Sequence, residues 1–319
     1  MNIVLVGPGG MGTVHYANYA HVPRARVVAV VGTTEADQKK AGEWGLPIYP
    51  SITDACRKEQ AELVDICAPT FLHKKLALES AACGMHTLTE KPIALSLCDA
   101  QEMYEAAEKA RVQLYVGQAL QFSLEAETLH QVVRDGRYGR PLDACFERLS
   151  AKPGWSQGHW LLNPSQSGGL AFDLHIHDLD LIVSVFGKPK TVRYTYCGAE
   201  ESPAQYRFTY DCGGVNVSAE AAWFNACIPF TARWRVYFER GMLVNDAHGL
   251  TGYDANGGTT AFDVEEKVKI PTGINLPPTG MFLRELSHFV KLADENKPSE
   301  RVPKEQVLHV LETLESIVR

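Results

Sequence analysis

The sequence predicts an α/β protein with a doubly wound parallel sheet in an N-terminal domain and a largely antiparallel sheet in a second, α+β domain. In the first third of the chain, short apolar runs alternate with helix-forming segments, and this βαβα rhythm implies a parallel sheet with helices on both faces. From residue 190 onward, apolar and polar residues alternate strictly, which indicates antiparallel strands with one polar face. Because 319 residues exceed what one hydrophobic core usually sustains, we expect two domains, 1–119 and 120–319.

The strands expected in the first domain are short, apolar and often β-branched. They are Ile3–Val6, Val27–Val31, Leu63–Ala68, His86–Thr89 and Leu114–Val116. The segments between them, such as 74–83 and 96–110, are rich in Ala, Glu, Lys and Leu and are predicted to be helical. Ser96 followed by Asp99 fits the start of the second of these helices.

The second domain is expected to begin with a helix over Leu124–Arg134, followed by a strand near Leu142–Ser150. Later strands show a period of two, because large aromatic residues recur at every second position between polar ones. The clearest example is Tyr206, Phe208 and Tyr210. The chain ends in a helix, since Phe282, Leu286, Phe289 and Val290 recur at helical spacing.

Composition excludes several classes of protein. The net charge of −7 argues against a nucleic-acid-binding surface. The apolar runs are too short to span a bilayer, and a first strand at Ile3 leaves no room for a signal peptide. The eight cysteines are scattered without a Cys-x-x-Cys spacing, so we expect reduced thiols rather than a disulfide framework or a metal knuckle. Together these features predict a cytoplasmic protein.

A glycine loop follows the first predicted strand and opens a helix. Glycines at positions 7, 9 and 12 match the Gly-x-Gly-x-x-Gly pattern. Such a turn lets the backbone approach a pyrophosphate closely, and the helix N-terminus offers it free N–H groups. The alternative is that these glycines only permit tight packing of the helix on the strand. The position inside a βαβ unit favours a dinucleotide site.

The end of the second strand bears on the choice between NAD and NADP. In NAD-binding folds an acidic residue there usually bonds the adenosine ribose. This chain has Gly32, Thr33 and Thr34 at that place, and the first acidic residue is Glu35. Without a carboxylate a 2′-phosphate would meet less repulsion and could bond to the threonine hydroxyls. The sequence therefore predicts a modest preference for NADP.

Two further motifs follow predicted strands and are expected at the same edge of the sheet. Pro69, Thr70 and His73 come after the strand at 63–68, and Glu90-Lys91-Pro92 comes after the strand at 86–89. Ligands bind at the carboxyl ends of the strands in open α/β sheets. A proline beside Lys91, which could form a cis peptide bond, would limit where the lysine points. The alternatives are a surface lysine in a loop and a His73 bonded to local backbone.

A second cluster of titratable residues spans 173–180. Asp173 and His177 are four residues apart and share a face of the expected helix. A carboxylate beside an imidazole can orient the ring for acid–base work at an alcohol. His175 and Asp178 point elsewhere, and the spacing of two between His175 and His177 does not suit a metal site on a helix. We expect no metal, and a purely structural histidine pair is the other alternative.

Taken together, these motifs resemble those of the Gfo/Idh/MocA family, the glucose-fructose oxidoreductase and inositol dehydrogenase type of sugar oxidoreductase. The resemblance covers nearly the whole chain and includes the turn at Gly168 and Gly169 and the helix at 282–289. It implies an N-terminal Rossmann domain and a C-terminal domain with a large, open, mostly antiparallel sheet that commonly forms a dimer or tetramer interface. It also implies that Lys91, Asp173 and His177 are the catalytic residues.

The same resemblance and the motifs above give the residues expected to contact the cofactor. They are Gly7, Gly9, Gly10, Met11, Gly12, Gly32, Thr33, Thr34, Pro69, Thr70, His73, Glu90 and Lys91. Three positions depart from the family pattern, namely Gln121, Ser167 and His175. His175 replaces a small residue and is a candidate for reaching the substrate. Further candidate substrate contacts lie in an aromatic loop, at Trp155, His159, Trp160 and Asn163.

The resulting hypothesis is an NAD(P)-dependent dehydrogenase or reductase that moves a hydride between nicotinamide and a carbinol carbon of a sugar, polyol or related compound. Two alternatives stay open, an NAD-dependent glycosidase of the same family and a cofactor-binding sensor without catalysis. The retained lysine, aspartate and histidine argue against the sensor. We expect a homodimer or homotetramer, and neither a nucleic-acid partner nor a membrane.

Overall fold

The computed structural model describes residues 1–274 and 276–318 and divides into two compact units. The first unit contains Met1–Phe122 and Glu266–Val307, and the second contains Ser123–Glu265 and the segment from Leu308 onward. The sequence pattern predicts a boundary at 119 with all later residues in the second domain. The segment 266–307 instead groups with the first unit because its helix buries an aromatic face there. The ring of Phe289 packs 5.1 Å from Tyr115 and 5.6 Å from Phe122.

The first unit is built on a parallel six-stranded sheet of order β3-β2-β1-β4-β5-β6. Its strands are β1 Asn2–Val6, β2 Arg26–Val31, β3 Ile48–Tyr49, β4 Leu63–Ile66, β5 His86–Glu90 and β6 Leu114–Gly117. The helices between them are α1 Gly10–Tyr19, α2 Glu35–Trp44, α3 Ile52–Lys58, α4 His73–Ala82 and α5 Leu97–Ala110. The strand order reverses at β1 and β4, so their carboxyl ends form the crevice where such sheets bind ligands. The predicted doubly wound sheet is confirmed.

The second unit is built on an eight-stranded sheet of order β14-β13-β12-β11-β7-β10-β9-β8. Its strands are β7 Pro141–Ala151, β8 Thr191–Ala199, β9 Ser202–Asp211, β10 Asn216–Phe224, β11 Thr231–Phe238, β12 Gly241–Asp246, β13 Gly249–Asp254 and β14 Thr259–Phe262. β7 and β10 run parallel, and the other neighbouring pairs are antiparallel. This confirms the predicted, mostly antiparallel sheet.

Five further α-helices lie in the described residues. They are α6 Leu124–Arg134, α7 Pro164–Ser167, α8 Ile176–Phe186, α9 Met281–Asp294 and α10 Lys304–Val318, and α9 belongs to the first unit. Within the described residues, no helix is both long and apolar enough to traverse a bilayer.

The two faces of the eight-stranded sheet differ in polarity, as the period of two predicts. On β11, Trp234 and Val236 are buried, whereas Arg233, Arg235 and Tyr237 between and beside them are exposed. The exposed arginines pair with acids on β7, with Nε of Arg233 2.7 Å from Glu147 and Nη1 of Arg235 2.7 Å from Asp143. The sheet thus has one apolar face toward the core and one charged face toward solvent.

Candidate active site

The glycine loop between β1 and α1 is open beside Gly9 and crowded at Gly7 and Gly12. A Cβ on Gly12 would lie 2.2 Å from the carbonyl oxygen of Gly7, so this glycine closes the loop onto α1. Gly7 has φ of +81° and packs against the backbone of Ala68. A Cβ on Gly9 would meet nothing within 4 Å, and Gly9 caps α1 without a side-chain bond to its free N–H groups. The loop therefore presents an open helix N-terminus, which suits a pyrophosphate.

Substitution of Gly12 by alanine is expected to weaken dinucleotide binding by at least about tenfold. The new methyl group would collide with the carbonyl oxygen of Gly7, and the loop would have to move away from α1 to admit it. Isothermal titration of NAD and NADP into the variant measures the loss. Gly42→Ala is the matched control, since a Cβ at Gly42 in α2 meets nothing within 4 Å. Unchanged affinity in Gly12→Ala would show that the nucleotide does not use this loop.

The end of β2 carries a carboxylate that the sequence analysis did not assign to it. Asp37, in the first turn of α2, turns back so that one of its oxygens accepts from the backbone N–H groups of Thr33 at 3.0 Å and Thr34 at 2.9 Å. The Thr34 hydroxyl in turn accepts from the Asp37 N–H, which completes a capping box. A Cβ on Gly32 would lie 2.6 Å from the Asp37 side chain. A negative charge therefore lies beside Gly32 after all.

His73 links the two loops that follow β4 and β5. Its Nε2 lies 2.8 Å from the carbonyl oxygen of Ala68, and its Nδ1 lies 2.9 Å from that of Pro92. The side chain is buried, and burial lowers its pKa despite these carbonyls. Thr70, also buried, begins a short 3-10 turn that runs into α4. The contacts of His73 are those of the alternative in which it bonds backbone.

The motif that contains Lys91 lies at the carboxyl end of β5. The Lys91–Pro92 peptide bond is cis. Glu90 is buried, and its carboxylate accepts from the backbone N–H of Lys91 at 3.1 Å. Since β5 lies next to β4, this motif and the Pro69–His73 turn share one edge of the sheet, as predicted.

A buried group of titratable side chains lies behind this edge. His15 of α1 contacts Asp65 of β4, with Nδ1 2.8 Å from Oδ2, and contacts Glu90, with Nε2 3.1 Å from Oε1. Tyr19 donates to Asp65 at 2.9 Å. Glu285 of α9 is fully buried beside them, since a Cβ on Gly117 would be 3.5 Å from one oxygen of Glu285 and from one of Glu90. Glu90 belongs to a predicted motif and Asp65 is a lone acid inside an apolar strand, but no sequence pattern joins them to His15 or Glu285.

The chemistry of this group favours hydrogen bonding over metal binding. His15, Asp65 and Cys67 place one donor atom each within 4.8 Å of one another. The imidazole and carboxylate atoms are already 2.8 Å apart, whereas two such ligands on one zinc ion are about 3.3 Å apart. Burial and the Asp65 charge also raise the pKa of the Cys67 thiol, and a metal would need the thiolate.

In the second unit, the helical segment 171–186, which contains the cluster at 173–180, begins irregularly. Residues Ala171–His175 form a π-helical turn that continues directly into α8. From Leu170 to Val183 each residue is buried except Asp173 and His177, which are both partly exposed. The two residues expected to act together are therefore the two that this stretch leaves accessible. π-helical turns occur frequently at functional sites.

His175 and Asp178 face the core of the second unit. The His175 ring stacks on Phe208 with centroids 4.1 Å apart, and its Nε2 lies 2.7 Å from the Tyr210 hydroxyl. Burial and then the charge of Arg148 lower the pKa of His175 to about 3, so the ring is neutral. Asp178 forms a buried two-bond pair with Arg148, at 2.7 and 3.1 Å. These contacts fix the helix on the sheet.

The other departures from the family pattern also have local partners. Ser167 donates to the carbonyl oxygen of Leu161 at 2.8 Å and accepts from the N–H of Gly169 at 2.9 Å. The carbonyl oxygen of Gln121 accepts two bonds from the guanidinium of Arg301, at 2.9 and 2.6 Å. Both residues therefore stabilise turns next to the predicted motifs.

The aromatic loop before α7 contains both accessible and structural side chains. Trp155 is 74% exposed, and His159 is exposed with φ of +53°. Trp160 is partly buried. Asn163 caps α7 by accepting from the N–H of Ser165 at 3.1 Å. Trp155 is the residue of this loop that offers a large apolar face to solvent.

Two family models match this chain. Residues 1–118 match the oxidoreductase family GFO_IDH_MocA with its NAD-binding Rossmann fold, and residues 126–244 match the GFO/IDH/MocA C-terminal domain. The chain belongs to the GFO/IDH/MocA oxidoreductase family. The predicted family is confirmed, and with it an NAD-binding Rossmann fold in a sugar and polyol oxidoreductase family.

Individual relatives are distant. The uncharacterized oxidoreductase YrbE of Bacillus subtilis is 25% identical over 299 residues, which span 89% of this chain and 79% of YrbE. The myo-inositol 2-dehydrogenase of Thermotoga maritima is 27% identical over 191 residues, 59% of this chain and 55% of that enzyme. An oxidoreductase from Agrobacterium radiobacter, solved with NAD+, L-tartaric acid and magnesium, has the same fold, with a TM-score of 0.86 at 18% identity over 99% of this chain and 94% of that one.

Proposed function

We propose that this protein is an NAD(P)-dependent dehydrogenase or reductase that acts on a CH–OH group of a sugar, polyol or related compound. The observation that carries the proposal is the stretch Leu170–Val183, in which only Asp173 and His177 reach the surface. An acid and an imidazole presented together suit proton transfer to or from an alcohol. They occur in a chain whose first unit has the loop and helix N-terminus of a dinucleotide site.

Three side chains share the protein's part of the reaction in this proposal. NAD(P), when bound at the open N-terminus of α1, supplies the hydride acceptor or donor. In the oxidation direction His177 takes the hydroxyl proton, and Asp173 orients the ring and stabilises its protonated form. The Lys91 ammonium bonds the substrate oxygen and stabilises the negative charge that develops on it. In the reverse direction His177 returns its proton to that oxygen.

The proposed substrate class rests on the loop and on the relatives. Trp155 offers an exposed ring on which a sugar can stack, and His159 and Trp160 add polar groups that can bond hydroxyls. The Thermotoga relative is named for myo-inositol, and the Agrobacterium structure holds L-tartaric acid. Both compounds carry several hydroxyl groups. Because His175 is buried and neutral, we leave it out of the proposed substrate contacts.

Asp37 decides the proposed cofactor preference. The absence of an acid on the end of β2 predicts a preference for NADP, but the Asp37 carboxylate accepts from the N–H groups of Thr33 and Thr34 and places a negative charge beside Gly32. Like charges about 4 Å apart near a surface repel by about 1–4 kcal/mol. We therefore favour NAD and expect it to bind at least about tenfold more tightly than NADP. In a titration, Asp37→Asn should reduce the ratio of the NADP to the NAD dissociation constant several-fold. Tighter binding of NADP than of NAD by the native protein would contradict this preference.

A panel of sugars and polyols tests the reaction. Each is incubated with NAD and with NADP, and reduced cofactor is followed by absorbance. Net reduction with at least one compound is the expected result. Product formation without net cofactor turnover would favour the NAD-dependent glycosidase. Cofactor binding without turnover of any compound would favour the sensor.

We further propose a homodimer or homotetramer that works in the cytoplasm. The exposed face of the eight-stranded sheet supports self-association, because its Arg233 and Arg235 are neutralised by acids on β7 and Tyr237 beside them offers an exposed ring. The scattered cysteines support a reducing compartment. Light scattering after size-exclusion chromatography tests the assembly, and a monomer at micromolar concentration would contradict it.

A further inference from the structure

We propose that His15 is a positioning residue: as an imidazolium held between Asp65 and Glu90, it ties the cofactor helix α1 to the strand end that carries Lys91. The inference rests on the proposed function in one respect, since it assigns Lys91 a catalytic role. It adds three residues, His15, Asp65 and Glu90, that no sequence motif joined.

The contacts of the ring indicate its charge. Nδ1 lies 2.8 Å from Asp65 and Nε2 lies 3.1 Å from Glu90, so each nitrogen faces a carboxylate oxygen. A neutral imidazole carries one N–H and would leave one nitrogen lone pair against an anionic oxygen. An imidazolium hydrogen-bonds Asp65 through Nδ1 and places its positive charge at ion-pair distance from Glu90. Burial lowers the pKa of His15, but the Asp65 charge and the hydrogen bonds to Asp65 and Cys67 raise it well above its usual value.

The surrounding acids divide into charged and neutral ones. The His15 contact, its charge and the nearby Lys91 hold the pKa of Glu90 below its usual value despite burial. Burial and then the Glu90 charge raise the pKa of Glu285 well above its usual value. Burial beside the charged Glu90 carboxylate therefore keeps Glu285 a neutral acid. The Tyr19 hydroxyl, which donates to Asp65, is kept protonated by burial and by the Asp65 charge.

His15 and Glu90 connect α1, the helix that follows the glycine loop, to Lys91. His15 lies on α1, whose N-terminus is the proposed pyrophosphate site. One carboxylate oxygen of Glu90 lies 3.1 Å from Nε2 of His15, and the other accepts from the backbone N–H of Lys91. The backbone of Lys91 is therefore linked to α1 through two buried side chains, those of His15 and Glu90. A misplacement of about 1 Å at a catalytic group can cost about 10²-fold in rate.

The test compares His15→Gln with the loss of another buried hydrogen bond, on β5, the strand that carries Glu90. Thr87→Val serves as that control, since the Thr87 hydroxyl donates to Ser80 at 2.8 Å in β5, three residues before Glu90. For His15→Gln we expect kcat to fall about 10–100-fold while the dissociation constant of NAD changes less than about threefold. Thr87→Val should keep kcat within about twofold. Equal kcat losses in both variants, or none in His15→Gln, would overturn the proposal.

Two readouts do not depend on catalysis, so they separate this inference from the proposed function. Nitrogen-15 NMR of the native protein should show both His15 nitrogens protonated at pH 8, and Asp65→Asn should return the ring to a neutral form. The rate at which acetic anhydride labels Lys91, followed by mass spectrometry, should change in His15→Gln and not in Thr87→Val. A neutral His15 at pH 7 would overturn the inference. If no substrate is found, the proposed function fails while these two measurements still decide the role of His15. Should His15→Gln not fold, Asp65→Asn and the NMR measurement decide it.

Discussion

Replacing Lys91 with alanine is expected to lower kcat by about 10²–10³-fold while NAD binding stays within about threefold of the native value. In the proposed mechanism the ammonium bonds an oxygen whose negative charge grows as the proton leaves, and removal of one such donor typically costs this much. The effect should fall on kcat, because the interaction strengthens in the transition state. Steady-state kinetics with a compound from the polyol panel measures the change in kcat, and titration of NAD measures the change in cofactor affinity.

Two matched variants make this result specific. Lys91→Met keeps most of the side-chain length without the charge and should lose as much activity as alanine. Lys74→Ala removes a lysine of α4 that pairs with Asp99 at 2.6 Å and Glu102 at 2.7 Å on the surface, and it should leave kcat unchanged. Near-native activity in Lys91→Met would show that the ammonium is not required and would remove Lys91 from the mechanism.

Strands of the first unit could be predicted to within two residues because their signal is local. Apolar β-branched runs such as Val27–Val31 are buried on both faces and leave little doubt about strand or helix. β3 escaped the prediction because it has two residues, Ile48 and Tyr49, paired only with the end of β2. So short a run carries no periodicity. The contact that places 266–307 with the first unit likewise depends on distant aromatic partners.

The candidate site divides in the same way. The glycine loop and Glu90-Lys91-Pro92 are contiguous, so their position at strand ends could be inferred from sequence. His15, Asp65 and Glu285 lie on three different elements, and only the fold brings them together. Asp37 was missed because the expected acid lies on the strand end, whereas this one reaches back from the helix. The direction of His175 depends on the π-helical turn, which sequence spacing does not reveal.

Replacing His177 with alanine is expected to lower kcat in the oxidation direction by about 10²–10⁴-fold and to flatten its dependence on pH. General acid–base transfer by a positioned side chain contributes about this much. A base must be neutral to take the hydroxyl proton, so the native rate should rise with pH as His177 loses its own proton. Without the imidazole that rise disappears. Initial rates between pH 5 and 10 with saturating NAD and substrate measure both effects.

In the same assay, Asp173→Asn should shift the pH dependence of the rate and lower kcat less than His177→Ala does. Asparagine keeps the shape of the side chain but removes the negative charge that favours imidazolium. The midpoint of the rise in rate should therefore move to lower pH, and kcat at the plateau should fall less than in His177→Ala, because the ring remains but is held less firmly. Ser184→Ala, also on α8, is the control, since its hydroxyl bonds the carbonyl oxygen of Leu181 within the helix, and it should change neither quantity. An unaltered pH profile in His177→Ala would mean that another group accepts the proton, and a midpoint that moves to higher pH in Asp173→Asn would show that the carboxylate does not stabilise the protonated ring.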